Sequence, residues 1–126
     1  MLLEAVRQEL VTRQQSDHAK EQLAVAQANL RLAEKALELD DKNAVAFRNR
    51  GCAYLAAFDY PSAIEDFNRA LALNSNDVEA LTRRGQAFAA QKDFTKALQS
   101  FDQAIQLDPD NDVAFYRRGA GWPGQN

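Results

Sequence analysis

Two consecutive stretches of this chain carry the same residues in the same columns, and that internal repeat constrains the fold more than any other feature. Residues 44–77 read AVAFRNRGCAYLAAFDYPSAIEDFNRALALNSND, and residues 78–111 read VEALTRRGQAFAAQKDFTKALQSFDQAIQLDPDN. Phe47, Gly51, Tyr54, Asp59, Tyr60, Ala63, Phe67, Ala70 and Leu73 fall on Leu81, Gly85, Phe88, Asp93, Phe94, Ala97, Phe101, Ala104 and Leu107, always 34 positions on, as from Gly51 to Gly85. A third copy begins with Phe115 and Gly119 at the same spacing and stops. A unit of this length cannot bury its own apolar face, so copies must stack in a row.

Each copy reads as two helices. The first runs from Ala44 to about Ala57 and again from Val78 to about Gln91. The second is opened by Pro61 in one copy, where a missing N–H costs nothing, and in the other runs from Phe94 to Leu107 with Pro109 as its stop. Plentiful Ala, Leu, Gln, Arg and Glu favour helix throughout. Gly51 and Gly85 are expected where paired helices approach most closely, against the small Ala63 and Ala97, with Tyr54, Phe67, Phe88 and Phe101 filling the space around them.

The period and its aromatic–Gly–aromatic–Ala–aromatic–Ala order resemble the tetratricopeptide repeat. The resemblance implies an all-α right-handed solenoid of antiparallel helix pairs. It divides the chain into an N-terminal unit (1–43), two full repeats (44–77 and 78–111), and a truncated third repeat with a tail (112–126). Arg50, Arg84 and Arg118 stand where the family usually has Leu, and are expected to be structural, beside the core and paired with nearby acidic residues.

The N-terminal unit matches only in its second half. Ala36 and Leu39 precede Ala70 and Leu73 by the repeat period, whereas Asp17 occupies the column of Gly51 and Lys20 that of Tyr54. Leu3, Val6 and Leu10 form a short amphipathic stripe, the polar run from Arg13 to His18 interrupts it, and Leu23, Ala26, Leu30, Ala33 and Leu37 resume it out of phase. A hairpin turning near Ser16, with Ser16 or Asp17 as N-cap, and one long helix with a shifted face both fit. The hairpin is the expectation carried forward. Past Arg118 the Gly-rich tail lacks the polar helix that shields the end of such arrays, leaving the flank around Ala97, Phe101 and Ile105 in need of a cover.

The composition excludes several function classes. A net charge of −3 gives no electrostatic reason to expect nucleic acid. Cys52 is the only cysteine and His18 the only histidine, so neither an internal disulfide nor a histidine cluster with metal-ligand spacing can form. No catalytic constellation and no phosphate-binding loop are present, so no cofactor is implied and an enzyme is a distant alternative. No apolar run approaches membrane-spanning length, and the charged first turns do not suit a signal peptide. A cytoplasmic setting is the expectation.

Function is expected on the groove. Stacked first helices line the concave surface in the family that the repeats resemble. The face opposite Phe47, Gly51 and Tyr54 carries Val45, Asn49, Cys52 and Ala56, flanked by Arg48; in the next repeat it carries Glu79, Arg83, Gln86 and Ala90, and in the third Arg117, flanked by Tyr116. The resemblance thus implies a basic groove of Arg48, Asn49, Cys52, Arg83, Gln86, Tyr116 and Arg117, suited to a carboxylate or an extended peptide. Relatives that hold chaperone tails use a clamp of Lys, Asn, Asn, Lys and Arg. Only Asn49 and Arg83 match it, while Gln14, His18 and Glu79 fill the other columns, which disfavours that ligand. A protein or peptide partner is the first expectation. The second is self-assembly into a homo-oligomer through the open end, with Phe115, Tyr116 and Trp122 at the contact.

Overall fold

The computed structural model describes residues 2–111, which form five helices. They are α1 (Leu2–Leu39), α2 (Ala44–Ala56), α3 (Tyr60–Leu73), α4 (Val78–Ala90) and α5 (Phe94–Leu107). Successive helices pack on one another, α1 on α2, α2 on α3, α3 on α4 and α4 on α5. The result is an all-α stack of helix pairs, as the repeat required.

The starts of α2 to α5 are set by one device. Asn43, Asp59, Asp77 and Asp93 are the N-caps, each accepting from the backbone N–H three residues on. The turns inside the two repeats are copies as well. Phe58 and Lys92 both take the left-handed conformation, with φ of 63° and 64°, and the following N–H groups of Asp59 and Asp93 donate back to the carbonyls of Tyr54 and Phe88. Both positions tolerate a non-glycine residue because the bonds on either side fix the turn.

The glycine columns meet rings. A Cβ built on Gly51 would lie 2.7 Å from Cε1 of Phe67 and 3.2 Å from the carbonyl oxygen of Ala63; one built on Gly85 would lie 2.5 Å from Cε1 of Phe101. The close neighbour is therefore mainly the Phe of the partner helix, with the small Ala beside it. Phe67 and Phe101 are fully buried, each in a cluster with Ala63 and Ala70 or Ala97 and Ala104. The flank expected to need a cover includes Ala97 and Phe101, and the stub expected to cover it lies outside the described residues. Both residues point into the α4–α5 pair, against Leu81, and Ile105 is partly buried there.

The arginines beside the core are structural. Arg50 forks onto the buried Asp66 (Nε to Oδ2 2.7 Å, Nη2 to Oδ1 2.9 Å), and Arg69 adds a third bond of 2.8 Å to Oδ1. That hydrogen-bonded carboxylate raises the pKa of Arg50 further, against the desolvation that lowers it. In the next repeat Ser100 stands in place of Asp66, and Arg84 donates to Ser100, Asn68 and Gln103 instead. Without a carboxylate, burial alone acts on Arg84 and lowers its pKa. Arg118 lies outside the described residues.

The N-terminal hairpin does not form. Ser16 and Asp17 sit inside α1, a helix of 38 residues, or about 57 Å at 1.5 Å per residue. No Gly or Pro breaks the run, and side chains one turn apart pair on either side of the region where the turn was expected. Arg13 pairs with Glu9 at 3.5 Å, and Gln22 meets His18 at 3.1 Å. A polar run interrupts the apolar stripe but gives the backbone no reason to leave the helix when all its sides face water. Residues 2–25 are exposed, and α1 packs only through its later part, where Ala26 and Ala33 are buried.

Candidate binding groove

The first helices α2 and α4 present the groove face. Asn49 and Arg83 are exposed on it, and Gln86, half-buried, accepts a 3.1 Å hydrogen bond from Nη1 of Arg83. Cys52 is half-buried beside them. Burial, with Glu79 nearby, pushes its thiol up to about 11, so it is a protonated, poorly reactive group at neutral pH. Tyr116, Arg117, Phe115 and Trp122 lie outside the described residues.

Arg48 does not serve the groove as a free cation. Its Nη1 donates to Oδ2 of Asp77 at 3.1 Å, and its Nε lies 3.5 Å from Oε2 of Glu79, an ion-pair distance without a hydrogen bond. Asp77 is buried and caps α4, so Arg48 holds the start of the second repeat against the first. The expected basic face is corrected accordingly. Of its two charges on α2 and α4, Arg48 is neutralised and Arg83 remains. The next junction repeats the arrangement without charge, Nδ2 of Asn111 donating to Oγ1 of Thr82 at 3.0 Å.

The groove face of α2 that the sequence names through Val45, Asn49, Cys52 and Ala56 is also one wall of a deeper feature, whose α1 side the sequence reading did not include. Between α1 and α2 runs an open slot with a volume of about 1000 Å³. Val25, Ala26, Leu32 and Ala33 of α1 form one wall, and Val45, Cys52 and Leu55 of α2 form the other, with Phe58 beyond the end of α2. Asn49 and Glu79 border it, so the slot opens into the groove face. Val25 and Leu32 are 60% and 68% exposed. The signal was present as a second stripe on α1, Val25, Asn29, Leu32 and Ala36, spaced four, three and four. It was overlooked because the neighbouring stripe through Ala26, Leu30, Ala33 and Leu37 accounts for the packing on α2.

Comparisons with known proteins agree with this architecture. A family model described as tetratricopeptide repeat matches residues 48–112. No curated protein matches at a significant level. Among solved structures, the TPR domain of Arabidopsis OM64 is 25% identical, with a TM-score of 0.72 over 85% of this chain and 93% of that one. The first TPR of Spaghetti (RPAP3), solved bound to the HSP90 peptide SRMEEVD, is 27% identical, with a TM-score of 0.73 over 86% of each chain. The second TPR domain of human RPAP3, solved with the HSP70 peptide SGPTIEEVD, is similar in fold at 24% identity and a TM-score of 0.72, covering 83% of this chain and 89% of that one. With its helix pairs, glycine–phenylalanine contacts and matched family model, the chain belongs to the tetratricopeptide repeat family.

Proposed function

We propose that this chain is a protein-interaction module that holds an extended peptide with a free carboxylate on the groove face of α2 and α4. The observation that carries the reading is the pair Asn49 and Arg83, exposed on neighbouring first helices and without an acidic ion-pair partner among the described residues, with Glu79 held by Arg48. An amide donor and a guanidinium fork suit a carboxylate and the peptide backbone beside it. A similar domain was solved with a peptide bound, which supports a peptide as the class of ligand. An intracellular setting fits a lone thiol kept unpaired, and the described helices include none long and apolar enough to cross a membrane.

The ligand we favour differs from a chaperone tail. Gln14 and His18, which would have to supply two of five clamp positions, stand on the exposed part of α1, and Glu79 takes a third. Fluorescence polarisation with labelled peptides tests the reading. A peptide ending in one acidic residue is expected to bind more tightly than SRMEEVD, and Arg83→Glu to abolish capture while circular dichroism stays unchanged. Raising salt from 0.05 to 0.5 M should weaken the complex, since exposed pairs are screened within about 10 Å at 0.1 M. Binding that survives both changes refutes the groove assignment.

A further inference from the structure

In each full repeat a first helix of 13 residues packs against a second helix of 14. The later part of α1 occupies the place of such a second helix, in line with the repeat period of Ala36 and Leu39. No described helix stands beside it as a first helix, and the slot between α1 and α2 lies where one would pack. At the far end of the same α1, Leu3, Val6 and Leu10 are 72%, 47% and 55% exposed, an apolar stripe at helical spacing that packs on none of the described helices. Among the described residues, the later part of α1 lacks a first helix beside it, and the leading part of α1 lacks a helix to pack on.

We propose that the slot of one copy receives the segment Leu2–Gln14 of a second copy, so that the chain self-associates by donating a helix. Length agrees first. The segment has the 13 residues of α2 and α4, about 20 Å of helix, and the slot is lined from His18 to Ala36 of α1, about 27 Å. Shape agrees next. In the full repeats a glycine of the first helix meets a phenylalanine of the second. In the N-terminal unit the phenylalanine column holds the small, buried Ala33, which leaves room for the larger Leu3, Val6 and Leu10 in place of a glycine. The volumes on the two sides are exchanged.

Charge agrees as well. Among the described residues the charged side chains lining the slot are Glu21 and Glu79, the second also paired with Arg48, with His18 alongside and no lysine or arginine. On a helix turning 100° per residue, Arg7 and Arg13 fall about 60° to either side of Leu10, whereas Glu4 and Glu9 fall about 100° or more away. A stripe flanked by guanidinium groups thus meets a slot bordered by carboxylates. The occupant cannot come from the same chain, because α1 runs unbroken through Ser16, Asp17 and His18 and carries its own first turns away from the slot. Donation does not use Arg83, but Asn49 borders both the slot and the peptide face, so the two kinds of occupancy meet there.

The sole cysteine makes the slot addressable, since Cys52 lines it. A doubly substituted chain, V6C with Cys52→Ser, is mixed with a tagged chain keeping Cys52 and is oxidised gently. A disulfide-linked heterodimer, distinguishable by mass from a dimer of the V6C chain, is expected as the main product. Sedimentation of the unmodified protein from about 5 to 200 µM should show a dimer or larger species. L3D together with L10D should restore the monomer, with peptide binding retained. An unmodified chain that stays monomeric over this range, or a mixture yielding no heterodimer, overturns the proposal. So does a disulfide closing within single V6C chains that retain Cys52, since the chain would then fill its own slot.

Discussion

The replacement of Gly85 by alanine puts the packing of the helix pair to the most direct test. In the middle of α4 the added methyl should help, because alanine is better than glycine in a helix interior by about 1 kcal/mol. The structure sets a larger cost against it. The new Cβ would lie 2.5 Å from Cε1 of Phe101 and 2.8 Å from both Cδ1 and Cζ, about 1 Å inside ordinary carbon contact. The ring is fully buried and cannot swing clear without opening the α4–α5 core. Overpacking of this kind typically costs 1–3 kcal/mol, and the 2.5 Å approach to a fully buried ring puts it in the upper part of that range, so Gly85→Ala should show a net loss of up to about 2 kcal/mol. Urea unfolding followed by circular dichroism at 222 nm reads the difference. Gly51→Ala, whose Cβ would sit 2.7 Å from Phe67, should lose less. Phe101→Leu, damaging alone, should recover part of the loss when combined with Gly85→Ala. A G85A chain as stable as the original, or additive effects in the double mutant, would refute the argument that ring contact fixes the glycine column.

Asp66→Ala should cost about 2–4 kcal/mol, because it strips Arg50 of both hydrogen bonds while leaving its guanidinium largely buried, and Asp66→Ser should cost less, since it copies the Arg84–Ser100 arrangement of the next repeat. Equal urea midpoints for the two variants would show that the carboxylate contributes nothing specific. Cys52 in the folded chain should react with iodoacetamide at pH 8 roughly tenfold more slowly than in urea. A thiol at about 11 holds roughly a hundredfold less thiolate than one at 9, and its greater intrinsic nucleophilicity restores about a factor of ten. The sign for stability follows. A folded pKa above the unfolded one makes the thiol's contribution complete below about pH 9 and lost as pH rises towards 11. A folded chain that reacts as fast as the unfolded one would contradict this environment for Cys52.

Much of the fold is legible in the sequence because the repeat compares the chain with itself. Gly51 with Gly85, and Phe67 with Phe101, need no outside reference to be read as one contact made twice, and Asp59 and Asp93 announce the same helix start. The arginines were legible for a related reason, since a charge in a core-side column needs a partner. What escaped was long in range or lacked a second copy. Arg48 looked like groove because its partner Asp77 stands 29 residues on and serves a different helix. The course of α1 has no counterpart to check it against. There an interrupted apolar stripe was taken for a turn, although an exposed helix without Gly or Pro loses nothing by continuing through polar residues. The slot followed from that same error, because a hairpin would have filled it.

The junctions at Asp77 and Asn111 bear on how the molecule comes apart. The carboxylate that starts α4 is gripped from α2, and the residue in the matching column after α5 is tied to Thr82 of α4. Unwinding the first turn of α4 therefore releases a bond belonging to the previous repeat, which adds to the apolar contacts and the Arg84–Asn68 bond that join the two neighbours. Melting should spread across α2 to α5 as one cooperative event, while the leading turns of α1 fray on their own account. The two couplings also differ in kind. Electrolyte screens the charged bond at Asp77, so raising ionic strength should loosen the boundary between the two full repeats.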